Sequence, residues 1–166
     1  DCQPKLTMGL SPTLLTLLDA PDLKQRFPTW LAQRQQLLPQ ADQALRVGAD
    51  HLSKTFERHL AAWTACDGDL IGRFAALQRQ GVVDLLTCGA THGYLPLLRH
   101  HPEAVRGQLR TAVREHQRLI GERPLGIWLP ECAYYEGLDH WMRDAGLRYA
   151  VLDAHGLLHG RPRPRY

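Results

Sequence analysis

No two cysteines of this sequence stand in a C-x-x-C pair: Cys2, Cys66, Cys88 and Cys132 are scattered over 166 residues. That spacing leaves no zinc ribbon and no redox pair, and the four are expected to be free thiols of a reducing compartment, the cytoplasm by default. Also missing is any run near the roughly 18 apolar residues of a membrane span, and the opening residues lack the charged and then apolar segments of a secretory signal. No membrane partner is expected. Nor is there a long basic block, since 20 Lys and Arg are interspersed with 17 Asp and Glu for a formal net charge of +3. Such a balance does not track a phosphate backbone, so nucleic acid is not expected as a partner. No repeat of fixed period and no low-complexity tract occurs.

What is present suits a globular chain. With 44% hydrophobic and 22% charged residues, it has the means to bury one sizeable core and the length of a single domain. It begins at Asp1 rather than Met and closes on the turn-rich run Arg161, Pro162, Arg163, Pro164, Arg165, Tyr166, so truncation at both ends is expected.

Residues 1–80 read as nearly all helical. Ser11 followed by Pro12 marks a helix start, because Ser accepts from the free N–H groups of a first turn and Pro takes a position whose N–H has no intrahelical partner. Leu14, Leu15, Leu17 and Leu18 supply the apolar face. The spacing of Leu23, Phe27, Trp30, Leu31 and Leu38 predicts a helix over 21–38, closed by Pro39, and that of Leu45, Leu52, Phe56, Leu60 and Trp63 another over 41–64. Cys66, Asp67, Gly68 and Asp69 form its exit turn, and a shorter helix follows over 70–80.

From Gly81 the pattern changes to short, mostly apolar runs suited to buried strands, over 82–88, 125–129 and 148–152. Between the first two lies a helix over 102–120, with Val105, Leu109, Val113, His116 and Ile120 on one side. Between the second two lies one over 137–146, with Leu138, Trp141, Met142 and Ala145 facing in. Alternating strands and helices give parallel strands with right-handed crossovers, and hence an α/β fold. Three strands cannot close a barrel by themselves.

In parallel α/β folds functional groups gather past the carboxyl ends of the strands, where the loops converge on one face. Here the three loops carry Ala90, Thr91, His92, Gly93, Tyr94; then Pro130, Glu131, Cys132, Ala133, Tyr134; then Asp153, Ala154, His155, Gly156. A carboxylate at a strand end beside Trp128 and two tyrosines has the composition of a retaining glycoside site, in which an ionised nucleophile sits among aromatic faces that stack on a sugar. Glu131 takes the nucleophile's place. Trp128, Tyr134, His92, Asp153 and His155 are the candidates to bind sugar, the last three by hydrogen bonds that also hold Glu131 ionised. Simpler readings stand beside these: Glu131 as a surface residue or helix cap, His92 as a turn cap, Asp153 as an orienter of its own loop. Tyr135, Glu136 and His140 read as solvated helix-start residues.

The runs Ala90-Thr91-His92-Gly93-Tyr94-Leu95-Pro96-Leu97-Leu98 and Gly126-Ile127-Trp128-Leu129-Pro130-Glu131-Cys132-Ala133-Tyr134 resemble, in order and separation, two signature regions of glycoside hydrolase family 57 in its branching-enzyme subgroup. Met8-Gly9-Leu10-Ser11-Pro12-Thr13-Leu14 and Asp153-Ala154-His155-Gly156 resemble two further segments, so the likeness spans nearly the whole chain. The resemblance implies an incomplete seven-stranded (β/α) barrel, of which 1–166 would be a part: a helical segment over 1–80, then β/α units over 81–166 that bear the nucleophile. It implies Glu131 as the nucleophile of a retaining double displacement, His92 in the donor site, and an α-1,4-glucan such as amylose or glycogen as partner, with α-1,6 branches as product. No cofactor and no metal is called for. The family's N-terminal His-containing strand and its later loop with the acid/base Asp have no counterpart here, and Asp153 does not match that Asp.

The alternatives within the family are an α-amylase and a 4-α-glucanotransferase. From other classes come a metal-dependent hydrolase with His92, Glu131, Asp153 and His155 as ligands, and a glucan-binding module that has lost catalysis.

Overall fold

A computed structural model of the chain describes residues 5–162. Cys2 and the end of the Arg-Pro run, 163–166, lie outside the described residues. The chain divides into two compact units: Leu17–Arg73, and a second made of the chain up to Thr16 and from Phe74 onward.

In order, the elements are β1 (Leu6–Gly9), α1 (Pro12–Asp19), α2 (Pro21–Leu37), α3 (Arg46–Ala65), α4 (Leu70–Arg79), β2 (Val83–Leu86), α5 (Leu95–Leu98), α6 (Pro102–Ile120), β3 (Gly126–Trp128), α7 (Leu138–Asp144), β4 (Tyr149–Val151) and α8 (Ala154–Leu158), with 3-10 turns between some of them. The mixed α/β character is as expected. Ser11 caps α1, its Oγ accepting the Leu14 N–H at 3.2 Å. Helix α6 matches its expected span at both ends, because Pro102 opens it and Gly121, at φ 91°, closes it in the left-handed conformation that few other residues adopt.

The helix expected over 41–64 begins later. Gln43–Leu45 forms a separate 3-10 turn, and Leu45, counted on the apolar stripe, is 64% exposed. In the unit Leu17–Arg73, α2 and α3 meet through Phe27 and Trp63, whose ring centres are 4.6 Å apart, over buried Leu31 and Ala49.

The sequence reading missed β1. Its four residues are all exposed, so no alternation of burial marks them; what makes them a strand is pairing with distant partners, Leu6 opposite Val83 through Gly9 opposite Leu86. Among the described residues β1 and β2 form one parallel pair and β3 and β4 another. A parallel bridge from Thr87 to Ile127 joins the pairs, with Trp128 N–H donating to Thr87 O at 2.9 Å. The spatial order is therefore the chain order. A buried cluster of Leu95, Val105, Leu109, Val113, Ile127, Leu129, Leu138 and Met142 fastens α6 and α7 to β3. Trp141 and Tyr135 pack partly buried against it, which corrects the reading of Tyr135 as a solvated helix-start residue.

Gly126 is required by close approach. A Cβ there would overlap the Tyr149 ring on β4 and stand 2.7 Å from Leu86 Cδ2, and the Tyr149 hydroxyl is tied to Asp84 on β2. Leu86 is fully buried and has no room to move aside, and swinging the Tyr149 ring away would break its hydrogen bond to Asp84. Gly126→Ala is expected to lower the urea midpoint by an amount equal to about 1–3 kcal/mol, the usual cost of overpacking. An unchanged midpoint would show that the ring swings away freely.

Candidate active site

Three loops past the strand ends are stitched together by their backbones. The loop after β3 turns sharply at Pro130–Cys132, closed by Cys132 N–H to Leu129 O at 2.8 Å. The loop after β4 ties to that turn through Asp153 N–H to Cys132 O at 3.0 Å. The loop after β2 presses on it from the other side, where a Cβ on Gly89 would stand 3.0 Å from Pro130 Cγ.

The Glu131 turn is strained. Glu131 and Cys132 have φ of 55° and 54°, and His92 in the neighbouring loop has 57°. Residues with a Cβ avoid this region, and such outliers collect where surrounding structure enforces them for a purpose. Here the left-handed bend lifts the Glu131 side chain into solvent, 70% exposed, and His92 Nε2 lies 3.2 Å from its Oε1. The other ring nitrogen, Nδ1, lies 3.2 Å from the thiol of buried Cys88.

The His92 loop is clamped from α6. Gln108 Oε1 accepts the Thr91 N–H at 3.0 Å, Gln108 Nε2 donates to Thr91 Oγ1 at 2.7 Å, and Ala90 N–H donates to Gln108 O at 3.2 Å. Thr13 of α1 adds a hydroxyl donor to Ala90 O at 3.2 Å. The sequence reading found neither Gln108 nor the contact of Cys88 with His92. Gln108 sits one residue before Leu109 on the apolar side of α6, an offset that carries no signal until the loop is folded against it. Gln108→Leu is expected to loosen the loop by about 1–3 kcal/mol, the net worth of the two side-chain hydrogen bonds it removes. Amide hydrogen exchange at Thr91 and His92 should accelerate accordingly, and unchanged exchange would show that the clamp is redundant.

The remaining candidates fall into place differently from the expectation. Asp153 does not reach Glu131; it accepts from His155 through both the imidazole Nδ1 and the backbone N–H. Those hydrogen bonds, the side chain's first, hold the Asp153 carboxyl below its usual range, while the group itself stays exposed. Tyr134, half exposed, donates its hydroxyl to Asp139 Oδ1 at 3.1 Å. It shares with Leu152, Asp153 and Gly156 a hollow of about 430 Å³. Trp128 ends β3 and is 43% exposed.

The four proposed metal ligands thus separate into two pairs, His92 with Glu131 and Asp153 with His155. Among the described residues no three His, Cys, Asp or Glu side chains form a group placed to hold a metal ion, which corrects the metal-dependent alternative. Cys66, Cys88 and Cys132 are free thiols, and no helix among the described residues is long and apolar enough to cross a membrane.

Chain-ordered parallel strands with helical crossovers, presenting a strained, solvent-facing carboxylate against an imidazole at the strand ends, define a parallel α/β protein with its polar groups gathered past the strand ends. The chain belongs to glycosyl hydrolase family 57, whose family model matches residues 22–166. It is 30% identical over 170 residues to a 1,4-alpha-glucan branching enzyme of Thermococcus kodakarensis, covering 90% of this chain and 25% of that protein. In structure it resembles the alpha-amylase AmyC from Thermotoga maritima, with a TM-score of 0.88 and 29% identity over 98% of this chain and 33% of that one. It also resembles the GH57-type branching enzyme from Pyrococcus horikoshii, with a TM-score of 0.85 and 28% identity over 96% of this chain and 34% of that one. The chain thus spans about a quarter to a third of the length of these relatives.

Proposed function

We propose that this chain supplies the nucleophile and part of the donor surface of an enzyme that cuts an α-1,4-glucan and passes the cut segment to a 6-hydroxyl, making α-1,6 branches. The observation that carries the reading is the Glu131 carboxylate, exposed on a left-handed bend past β3 with His92 Nε2 3.2 Å from one of its oxygens.

In this mechanism the free oxygen of Glu131 attacks the anomeric carbon. The bond from that carbon to the leaving 4-oxygen breaks, that oxygen takes a proton, and a glycosyl ester remains on Glu131. A 6-hydroxyl of a second glucan then attacks the same carbon, gives up its proton, and frees the carboxylate. Two inversions retain the α configuration. The proton donor is a carboxylic acid outside this chain. Asp153 is unsuited to that task, because its hydrogen bonds from His155 keep it ionised. This chain by itself is therefore expected to be inactive. Trp128 and Tyr134 offer ring faces to the glucan, Asp153 and His155 polar contacts, and His92 a donor.

The four parallel strands are, in this reading, a stretch of the seven-stranded barrel that the rest of the enzyme completes, with the helices of residues 1–80 leading into the β/α units of 81–166. Free thiols at Cys66, Cys88 and Cys132 agree with a cytoplasmic setting. A second reading, α-amylase, draws on the likeness to AmyC.

The test is to incubate the protein that carries this chain with amylose and to count new α-1,6 linkages and reducing ends by proton NMR. New α-1,6 linkages with few reducing ends support branching. Reducing ends alone would replace it with hydrolysis, since only the acceptor differs.

A further inference from the structure

We propose that Cys88 is a positioning residue for the Glu131 carboxylate, its thiol donating to His92 Nδ1 and fixing the ring where Nε2–H meets Glu131. The inference rests on Glu131 being the nucleophile.

Cys88 is 5% exposed and follows Thr87, whose bridge to Ile127 ends the link between β2 and β3. Four residues on, His92 N–H donates to Gly89 O at 3.1 Å and its backbone takes a φ of 57°, so the chain doubles back and sets the ring over the thiol. The ring lies between two partners, Cys88 Sγ 3.2 Å from Nδ1 and Glu131 Oε1 3.2 Å from Nε2.

The chemistry of the partners orders the hydrogens. An ionised carboxylate only accepts, so Nε2 must carry a hydrogen to bond it. A neutral imidazole with Nε2–H has a lone pair at Nδ1, which a donor alone can satisfy. The thiol is that donor. Burial raises its pKa most, a backbone hydrogen bond from Gly89 opposes, and the Glu131 charge raises it again, so the net shift keeps the hydrogen on sulfur. The row runs S–H to Nδ1, then Nε2–H to Oε1. One oxygen of Glu131 is held and the other is left for the anomeric carbon. Without the donor Nε2 keeps its hydrogen, because the carboxylate still accepts it, but the Nδ1 lone pair has no protein partner, the ring is held from one side only, and its hold on Glu131 loosens.

A thiol that merely filled the core would rank its replacements the other way. Packing alone tolerates Cys88→Ala better than Cys88→Ser, because Ser buries a hydroxyl. The positioning role favours Cys88→Ser, which keeps a donor.

The experiment uses the protein that carries this chain, labelled with nitrogen-15 at histidine. Long-range proton–nitrogen correlation spectra read the His92 tautomer and the shift of Nδ1, assigned by the signals lost in His92→Gln, beside kcat and KM on amylose. Wild type and Cys88→Ser are expected to carry the hydrogen on Nε2. Cys88→Ala is expected to keep the hydrogen on Nε2, to shift the Nδ1 resonance toward that of an unbonded lone pair, and to lower kcat roughly tenfold with KM unchanged, the scale of one hydrogen bond to a charged group. A wild-type His92 with its hydrogen on Nδ1 overturns the proposal, as does a Cys88→Ala protein that keeps both the Nδ1 shift and kcat. Should Cys88→Ala fail to fold, the wild-type spectrum and the Ser variant decide alone. Full activity in Glu131→Gln would instead overturn the nucleophile, and the tautomer spectra report on Cys88 independently of that result.

Discussion

Glu131→Gln, made in the protein that carries this chain, is expected to lower glucan transfer by on the order of 10⁴-fold or more, the range seen when an enzyme's nucleophile is removed. Gln keeps the length of the side chain and can still meet His92, but its amide cannot form the glycosyl ester. The melting temperature should barely move, because the side chain is mostly in solvent and its hydrogen-bond partner among the described residues is a half-exposed ring. Glu131→Gly separates the backbone from the chemistry. At a φ of 55° a Cβ is strained, and glycine is not, so this variant should be equally inactive yet more stable, by about 1 kcal/mol. A structural cap would behave in the opposite way, losing stability with either substitution and keeping activity. Activity and urea midpoints on the three proteins distinguish these outcomes, and an active Glu131→Gln would sink the site.

The second large effect is acid lability centred on His116. This residue is fully buried on α6, and neither ring nitrogen has a hydrogen-bond partner among the described residues. Burial, only partly opposed by the charge of Glu122, holds it at about 4 in the fold against 6.5 when free. Between those values the unfolded chain binds a proton that the folded chain refuses. Stability from this group is therefore intact above 6.5 and drains away as pH falls toward 4, by about 3 kcal/mol in all. His116→Leu has no such proton to take up, so its urea midpoint should fall less steeply over that window. It should also gain stability at neutral pH, since two unpaired buried nitrogens are replaced by carbon. Carboxylates titrate in both proteins and cancel in the comparison. Equal pH slopes for the two would show that His116 gains a partner on protonation.

How much of this was legible in the residues follows the range of the interactions. Helix α6 was readable to the residue because its apolar stripe, Pro102 and Gly121 all act within a turn or two of chain. The cores of β2, β3 and β4 were readable as short apolar runs, and Glu131, His92 and Asp153 as polar residues at strand ends. Strand β1 was not, because Leu6–Gly9 is exposed throughout and is a strand only through backbone bonds to residues more than 70 positions away. The pairing of polar groups was equally hidden: nothing in a linear pattern tells that Asp153 spends its hydrogen bonds on His155 while His92 reaches Glu131.

By itself the sequence determined the α/β class, the order of the β/α units, the family, and the loops on which chemistry is carried, since periodicity, caps and short motifs are properties of neighbours along the chain. Only the tertiary structure decided that Glu131, His92 and Cys88 form one row, that Gln108 holds the loop beneath it, and that the four metal-ligand candidates part into two pairs. Those are meetings of side chains between 2 and 39 positions apart, set by strand register and by left-handed bends at His92 and Glu131, and neither leaves a mark in the order of residues.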